Sequence, residues 1–121
     1  EMPTIIAESA QVSPRAKLEP GTVVMPQAAV NIGAHVGSGC IINTGASVDH
    51  DCKLGSCVHI APGVHVGGHV KIGDRSWIGI GSSVRNGINI GAGVMVGAGA
   101  AVISDLADGC TAVGVPAQPR D

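Results

Sequence analysis

Five histidines carry most of the reactive potential of this chain: His35, His50, His59, His65 and His69. Histidine is the side chain whose ordinary pKa lets it take up and return a proton near neutral pH. His50 stands between two carboxylates in the run Asp49-His50-Asp51. A neighbouring carboxylate can hold an imidazole in one tautomer and stabilise its protonated form. His50 is therefore the strongest of the five as a candidate base. The four cysteines (Cys40, Cys52, Cys57, Cys110) form no Cys-x-x-Cys pair and no zinc-ribbon spacing. They read as free, mostly buried thiols in a reducing compartment.

What positions these side chains is a repeat. Stepping by six from Ile6 to Val102 meets only Ile, Val or Leu. The next step lands on Asp108, where the pattern stops. Neither a helical period nor a heptad produces this register. Two residues before each anchor the side chain is mostly small, as at Ala28, Ala34, Cys40 and Ser76. One residue after the anchor come Gly37, Gly55, Gly67, Gly73, Gly79, Gly91 and Gly97, with Asn31, Asn43 and Asp49 in the same column. Such residues tolerate positive φ, so this column reads as a sharp corner. Pro14, Pro20, Pro26 and Pro62 follow in the next column and are also turn formers.

Each hexad is thus a short strand and a turn, with its β-branched anchor pointing inward. Three strands close a triangular coil, so residues 18 apart stack in parallel register. The chain then forms an all-β parallel β-helix of just under six coils, about 27 Å tall at the usual strand spacing. Residues 1–103 make the β-helix domain. Residues 104–121, with Pro116 and Pro119, form a capping segment of the same domain that folds back. Solenoid ends need such caps.

Stacking also places the histidines. His50 falls in the outward corner column, with Ile32 below it and Gly68 above. Asp51 and His69 differ by 18, so they share a column one coil apart and His69 competes with His50 for the carboxylate. His59 precedes the anchor Ile60 and lies under Trp77.

Composition excludes several classes. The chain is 45% hydrophobic but 1% aromatic, so its core must consist of uniform aliphatic units. Its 19 glycines follow no Gly-X-Y period, which excludes collagen. A net charge of −2 argues against a broad nucleic-acid footprint. No apolar run reaches the ~20 residues of a membrane helix, and no signal-peptide pattern occurs. The expected location is the cytoplasm. The chain opens Glu1-Met2-Pro3 rather than with Met, which suggests a tag remnant or a domain excised from a longer protein.

Three segments narrow the reading: the block Ile41 to Cys52 (IINTGASVDHDC), the run Val58 to Gly63 (VHIAPG), and the closing Val113 to Ala117 (VGVPA). With the hexads, they resemble the hexapeptide-repeat acetyltransferases of the sialic acid O-acetyltransferase and UDP-amino-sugar N-acetyltransferase (NeuD/PglD-type) family. The resemblance implies a left-handed coil, a homotrimer with active sites between subunits, acetyl-CoA as co-substrate, no metal, and a sugar-nucleotide acceptor. It also implies an N-terminal Rossmann-like domain in the full-length protein. It makes His50 the base that deprotonates an acceptor amine for direct attack on the thioester, with Asp51 polarising it. His59 would bond the acetyl-CoA carbonyl or pantetheine. Asn43 would lie near the reacting atoms, and Gly67, Gly68, Gly79, Ile80, Ala98 and Gly99 would line the coenzyme groove.

O-acetylation of sialic acid or another sugar would use the same groups. A γ-type carbonic anhydrase shares the prism, but its zinc needs three converging histidines. Histidines six apart lie on different faces, and no two here differ by 18. A purely structural solenoid would leave the corner columns without chemistry, and Asp49-His50-Asp51 stands against that.

Overall fold

The computed structural model describes residues 2–120. Two-residue strands follow one another from Ile5–Ile6 to Ala101–Val102, and each ends on a hexad anchor. They stack into three parallel sheets, the faces of a prism. The first face carries Ile5–Ile6, Val23–Val24, Ile41–Ile42, His59–Ile60, Trp77–Ile78 and Met95–Val96. The second runs from Gln11–Val12 through Ser47–Val48 and His65–Val66 to Ala101–Val102. The third runs from Lys17–Leu18 through His35–Val36, Lys53–Leu54 and Lys71–Ile72 to Asn89–Ile90. Partners in register keep the expected spacing of one coil, as in His59 with Trp77 and Lys53 with Lys71.

The anchors fill the prism. Val24, Val30, Val36, Ile42, Val48 and Ile60 are wholly enclosed. The small column beside them is buried too, and its polar members are satisfied. Thr22, Ser76 and Ser82 each donate a hydroxyl to a corner carbonyl (Gly37, Gly91, Gly97) and accept the amide of the residue stacked one coil further on. Above an alanine the amide turns instead to its own corner, as Ala46 N–H does to the Asn43 carbonyl. Cys40 and Cys52 sit in this column with their thiols pushed up in pKa by burial, whereas Cys57 is exposed and Cys110 half-buried.

The corner differs from the sequence expectation. Positive φ belongs to the third residue after the anchor, as at Gly45, Asp51, Cys57, His69 and Gly81. That conformation turns the amide back toward the previous coil. Asp51 N–H bonds the Ile32 carbonyl and His69 N–H the His50 carbonyl, in each case one position before the stacking partner. The glycines directly after the anchors have ordinary φ and answer a different need. A Cβ on Gly79 would lie 2.6 Å from the Val96 carbonyl oxygen and 2.8 Å from Ala98 N. These glycines allow close approach of stacked backbones.

The C-terminal end also departs from the plain repeat. The coil continues past Val102 but is shortened by two positions. Leu106 bridges Ile90, and Ala112 pairs with Val96, where unbroken stacking would have brought Asp108 and Gly114. Leu106 and Ala112 are both buried. The strand Thr111–Val113 then receives Gln118–Pro119 antiparallel. No helix of the described residues is long and apolar enough to cross a membrane.

The two glycine columns respond differently to substitution. Gly79→Ala meets backbone atoms that cannot yield and should cost about 2 kcal/mol or more by chemical denaturation. Gly45→Asn, at φ 66 with open space around it, should cost a few tenths at most. Equal losses would contradict the close-approach account.

Candidate active site

His50 and Asp51 project from the edge between the second and third faces. Asp51 Oδ2 lies 3.1 Å from His50 Nδ1. The carboxylate can only accept, so Nδ1 carries the hydrogen and the Nε2 lone pair is free. Nε2 points over Gly68, where a Cβ would stand 2.5 Å from it. Gly68 is therefore required by the ring beneath it, as the stacking implied. Asp49 steadies the corner. Its Oδ1 accepts the His50 amide at 2.7 Å and the Asn31 side-chain amide at 2.8 Å. These bonds, the Asn31 contact foremost, lower its pKa and keep it ionised. Asp51 in turn rests where Gly33 leaves room, since a Cβ there would overlap its Oδ1.

His69 reaches the same carboxylate, with Nε2 3.9 Å from Asp51 Oδ2, and its ring meets that of His50 edge-on at 5.0 Å. The side chains are all substantially exposed. The other two histidines are otherwise engaged: His35 bonds Glu19 Oε2 at 2.7 Å, and His65 Nδ1 pairs with the Ser47 hydroxyl at 2.7 Å.

A second constellation occupies the first face and its edge with the second. The Trp77 indole packs against the His59 ring with centroids 4.0 Å apart. Asn43 Oδ1 accepts the Thr44 amide at 2.8 Å, which fixes its Nδ2 toward His59 Nε2 at 3.1 Å. His59 Nε2 must accept that bond, so the neutral ring bears its hydrogen on Nδ1. Partial burial lowers the His59 pKa from its ordinary 6.5, which keeps the ring neutral at pH 7. Beside it runs an apolar groove of about 390 Å³, lined by His59, Pro62, Trp77, Gly79, Ile80, Met95 and Ala98 among others.

Asn43, His59, Gly79, Ile80 and Ala98 thus gather at one edge, with Gly99 in the same corner. His50, Asp51, Gly67 and Gly68 gather at another, across the second face. A single chain does not bring the two sets together. Trp77 and Met95 line this groove in addition to the residues that the resemblance names. Their signal was available: both are large apolar residues in the outward column, and both are about half exposed.

Residues 69–104 match the family model described as bacterial transferase hexapeptide (six repeats). The chain superposes on the acetyltransferase domain of PglB from Neisseria gonorrhoeae, also solved in complex with acetyl coenzyme A. Identity is 45%, the TM-score 0.98, and coverage 98% of this chain and 58% of that one. PerB from Caulobacter crescentus, solved with CoA and GDP-perosamine, matches at 43% identity and TM-score 0.98, over 99% of this chain and 58% of that one. WeeI from Acinetobacter baumannii matches at 27% identity and TM-score 0.80, over 97% of this chain and 55% of that one. No curated protein sequence matches the chain. The prism is a left-handed parallel β-helix built on the hexapeptide repeat of bacterial transferases, the fold of these acetyltransferase domains. A GDP-perosamine N-acetyltransferase from the same Caulobacter species, solved with CoA and GDP-perosamine, matches at 42% identity and TM-score 0.98 over 99% of this chain and 57% of that one. The chain spans under three-fifths of the length of these relatives.

Trp77, the sole tryptophan, reports on His59. Its fluorescence should titrate with a midpoint below 6.5, and His59→Gln should abolish the transition. The sign for stability follows. The unfolded chain binds the His59 proton first, so this site's contribution is complete above pH ~6.5 and declines as pH falls through that value. A midpoint at or above 6.5 would contradict the burial argument.

Proposed function

We propose that the chain is the acetyl-transfer domain of an enzyme that N-acetylates a nucleotide-linked amino sugar with acetyl-CoA. The observation that carries this reading is the His50–Asp51 pair beneath Gly68, with an apolar groove headed by His59 and Trp77 at another edge of the same prism. The relatives solved with CoA and GDP-perosamine or with acetyl coenzyme A support it.

In this mechanism Asp51 holds the Nδ1 hydrogen, and His50 Nε2 takes the proton of the acceptor amine as its nitrogen attacks the acetyl carbonyl carbon. The C–S bond breaks, and the proton passes to the departing CoA sulfur. The Gly68 N–H, which makes no backbone bond among the described residues, offers a donor to the developing oxyanion. The His59 Nδ1–H offers a donor to a thioester or pantetheine carbonyl, and the apolar groove takes the pantetheine chain. No step requires a metal.

Two separated half-sites make sense if neighbouring subunits complete each other. The half-sites lie on two edges of one prism, and a ring of three prisms sets one such edge against the other edge of the next. We therefore infer a homotrimer whose active sites combine the His50 edge of one protomer with the Asn43–His59 groove of its neighbour. The Rossmann-like N-terminal domain of the whole protein would help hold the sugar nucleotide, and the compartment of acetyl-CoA supply would be the cytoplasm. Uridine- and guanosine-linked amino sugars are both candidate acceptors.

Acetyl-CoA turnover on a panel of these acceptors tests the chemistry. His50→Ala should lower kcat by about 10²–10⁴-fold with the fold intact. Gly68→Ala should do likewise by displacing the ring. Full activity of His50→Ala would exclude it as the base. The shared site is tested by mixing two inactive variants, His50→Ala and the groove-blocking Ala98→Trp. Co-expressed, they should regain about a quarter of wild-type sites if each site spans two protomers. No recovery would place both half-sites' function within one chain.

A further inference from the structure

His50, Asp51 and His69 form a cluster that base chemistry alone does not account for. Each offers one ligand atom, and the three atoms lie within 4.8 Å of one another. The corner geometry creates this arrangement. The His69 amide bonds the His50 carbonyl at 3.0 Å, which sets the two residues diagonally across adjacent coils. Asp51 and His69 both adopt positive φ, at 58° and 57°. Their side chains leave stacked backbones in the same direction and converge on one side. Gly33 and Gly68 supply the room, since a Cβ on either would collide with Asp51 or His50.

We propose that this corner is a binding site for a divalent transition-metal ion of the zinc type, and that the bound ion blocks proton transfer at His50. Two imidazoles and one carboxylate are the donor set such ions take, with a fourth position left to solvent. Nitrogen donors select zinc, nickel or copper over magnesium. Around a tetrahedral ion the donor atoms stand about 3.3 Å apart. The Asp51–His50 separation of 3.1 Å already fits, and the Asp51–His69 separation of 3.9 Å closes with a small rotation of exposed side chains. Asp51 abandons its bond to the Nδ1 hydrogen and becomes a ligand. On coordination the ring hydrogen moves from Nδ1 to Nε2, so Nε2 no longer has the lone pair that would accept the acceptor's proton. The ion draws both the base and its partner out of service. The site is an inhibitory one, distinct from any metal role in the transfer step. That inhibitory reading rests on His50 as the base; the binding does not.

Zinc chloride titrated calorimetrically into the full chain, without acetyl-CoA or acceptor, tests the site. One ion per chain is expected for the wild type, with no binding of magnesium. His69→Asn, which suits positive φ, should weaken zinc at least tenfold, as should His50→Ala, while His65→Asn should leave it unchanged. In turnover assays, zinc should inhibit the wild type and spare His69→Asn. Absence of binding to the wild type, or affinity undiminished in His69→Asn, would overturn the proposal. If His50→Ala keeps full acetyl transfer, the base assignment fails, yet the calorimetry still judges the metal site.

Discussion

The molecule depends on one repeated contact: the hydrogen-bonded ladder that joins each coil to the next. A strand amide donates to a carbonyl of the coil ahead, as from Val23 to Cys40, and a corner amide donates to a carbonyl of the coil behind, as from His69 to His50. Both directions must hold at every coil, so the length of a coil is nearly fixed. The hexad is the sequence consequence. Bulk in the interior is limited by the same closure, which explains a core of Val, Ile, Ala and Cys rather than aromatics. Where the ladder lacks a carbonyl or amide of its own, a buried Thr, Ser or Cys supplies the missing atom.

The functional groups occupy the two kinds of position that the ladder leaves free. Outward strand positions carry His59, Trp77 and Met95, and outward corner positions carry His50 and Ile80. Neither kind contributes a side chain to the core, so both can vary in chemistry without altering the stack. Rigidity still reaches them. His50 is tied by its amide to Asp49, by its carbonyl to His69 and by its ring to Asp51, which holds the imidazole in one orientation.

Much of this was legible in the residues. The aliphatic anchors fix the strands and their register, and counting one coil onward finds Gly68 above His50 and Trp77 above His59. Three features were not legible for definite reasons. Glycine at the first corner position marks close approach of backbones, and composition alone does not separate that from positive φ; the true left-handed column holds Asp51, Cys57, His69 and Arg75 among its glycines. Counting whole coils brings His69 to Asp51, but it misses the diagonal neighbour one position off the column, so the edge-on contact of the His50 and His69 rings escapes it. The shortened last coil hides Leu106 and Ala112, because losing two positions shifts the phase by which anchors are recognised.

The ladder has a further consequence for how the chain acquires its shape. Nearly every pairing joins residues a single coil apart, whichever end of the molecule is considered. No pairing closes a long stretch of chain, and the entropy of each closure is that of one coil. Structure can therefore spread like a zipper, with each finished coil serving as the template edge for the next. The Ile6 anchor of the first coil is 47% exposed while Val24, one coil on, is wholly covered. A growing chain leaving the ribosome would carry such an uncovered edge forward at every step, and the closing hairpin of Thr111–Val113 with Gln118–Pro119 is where that growth is brought to a stop.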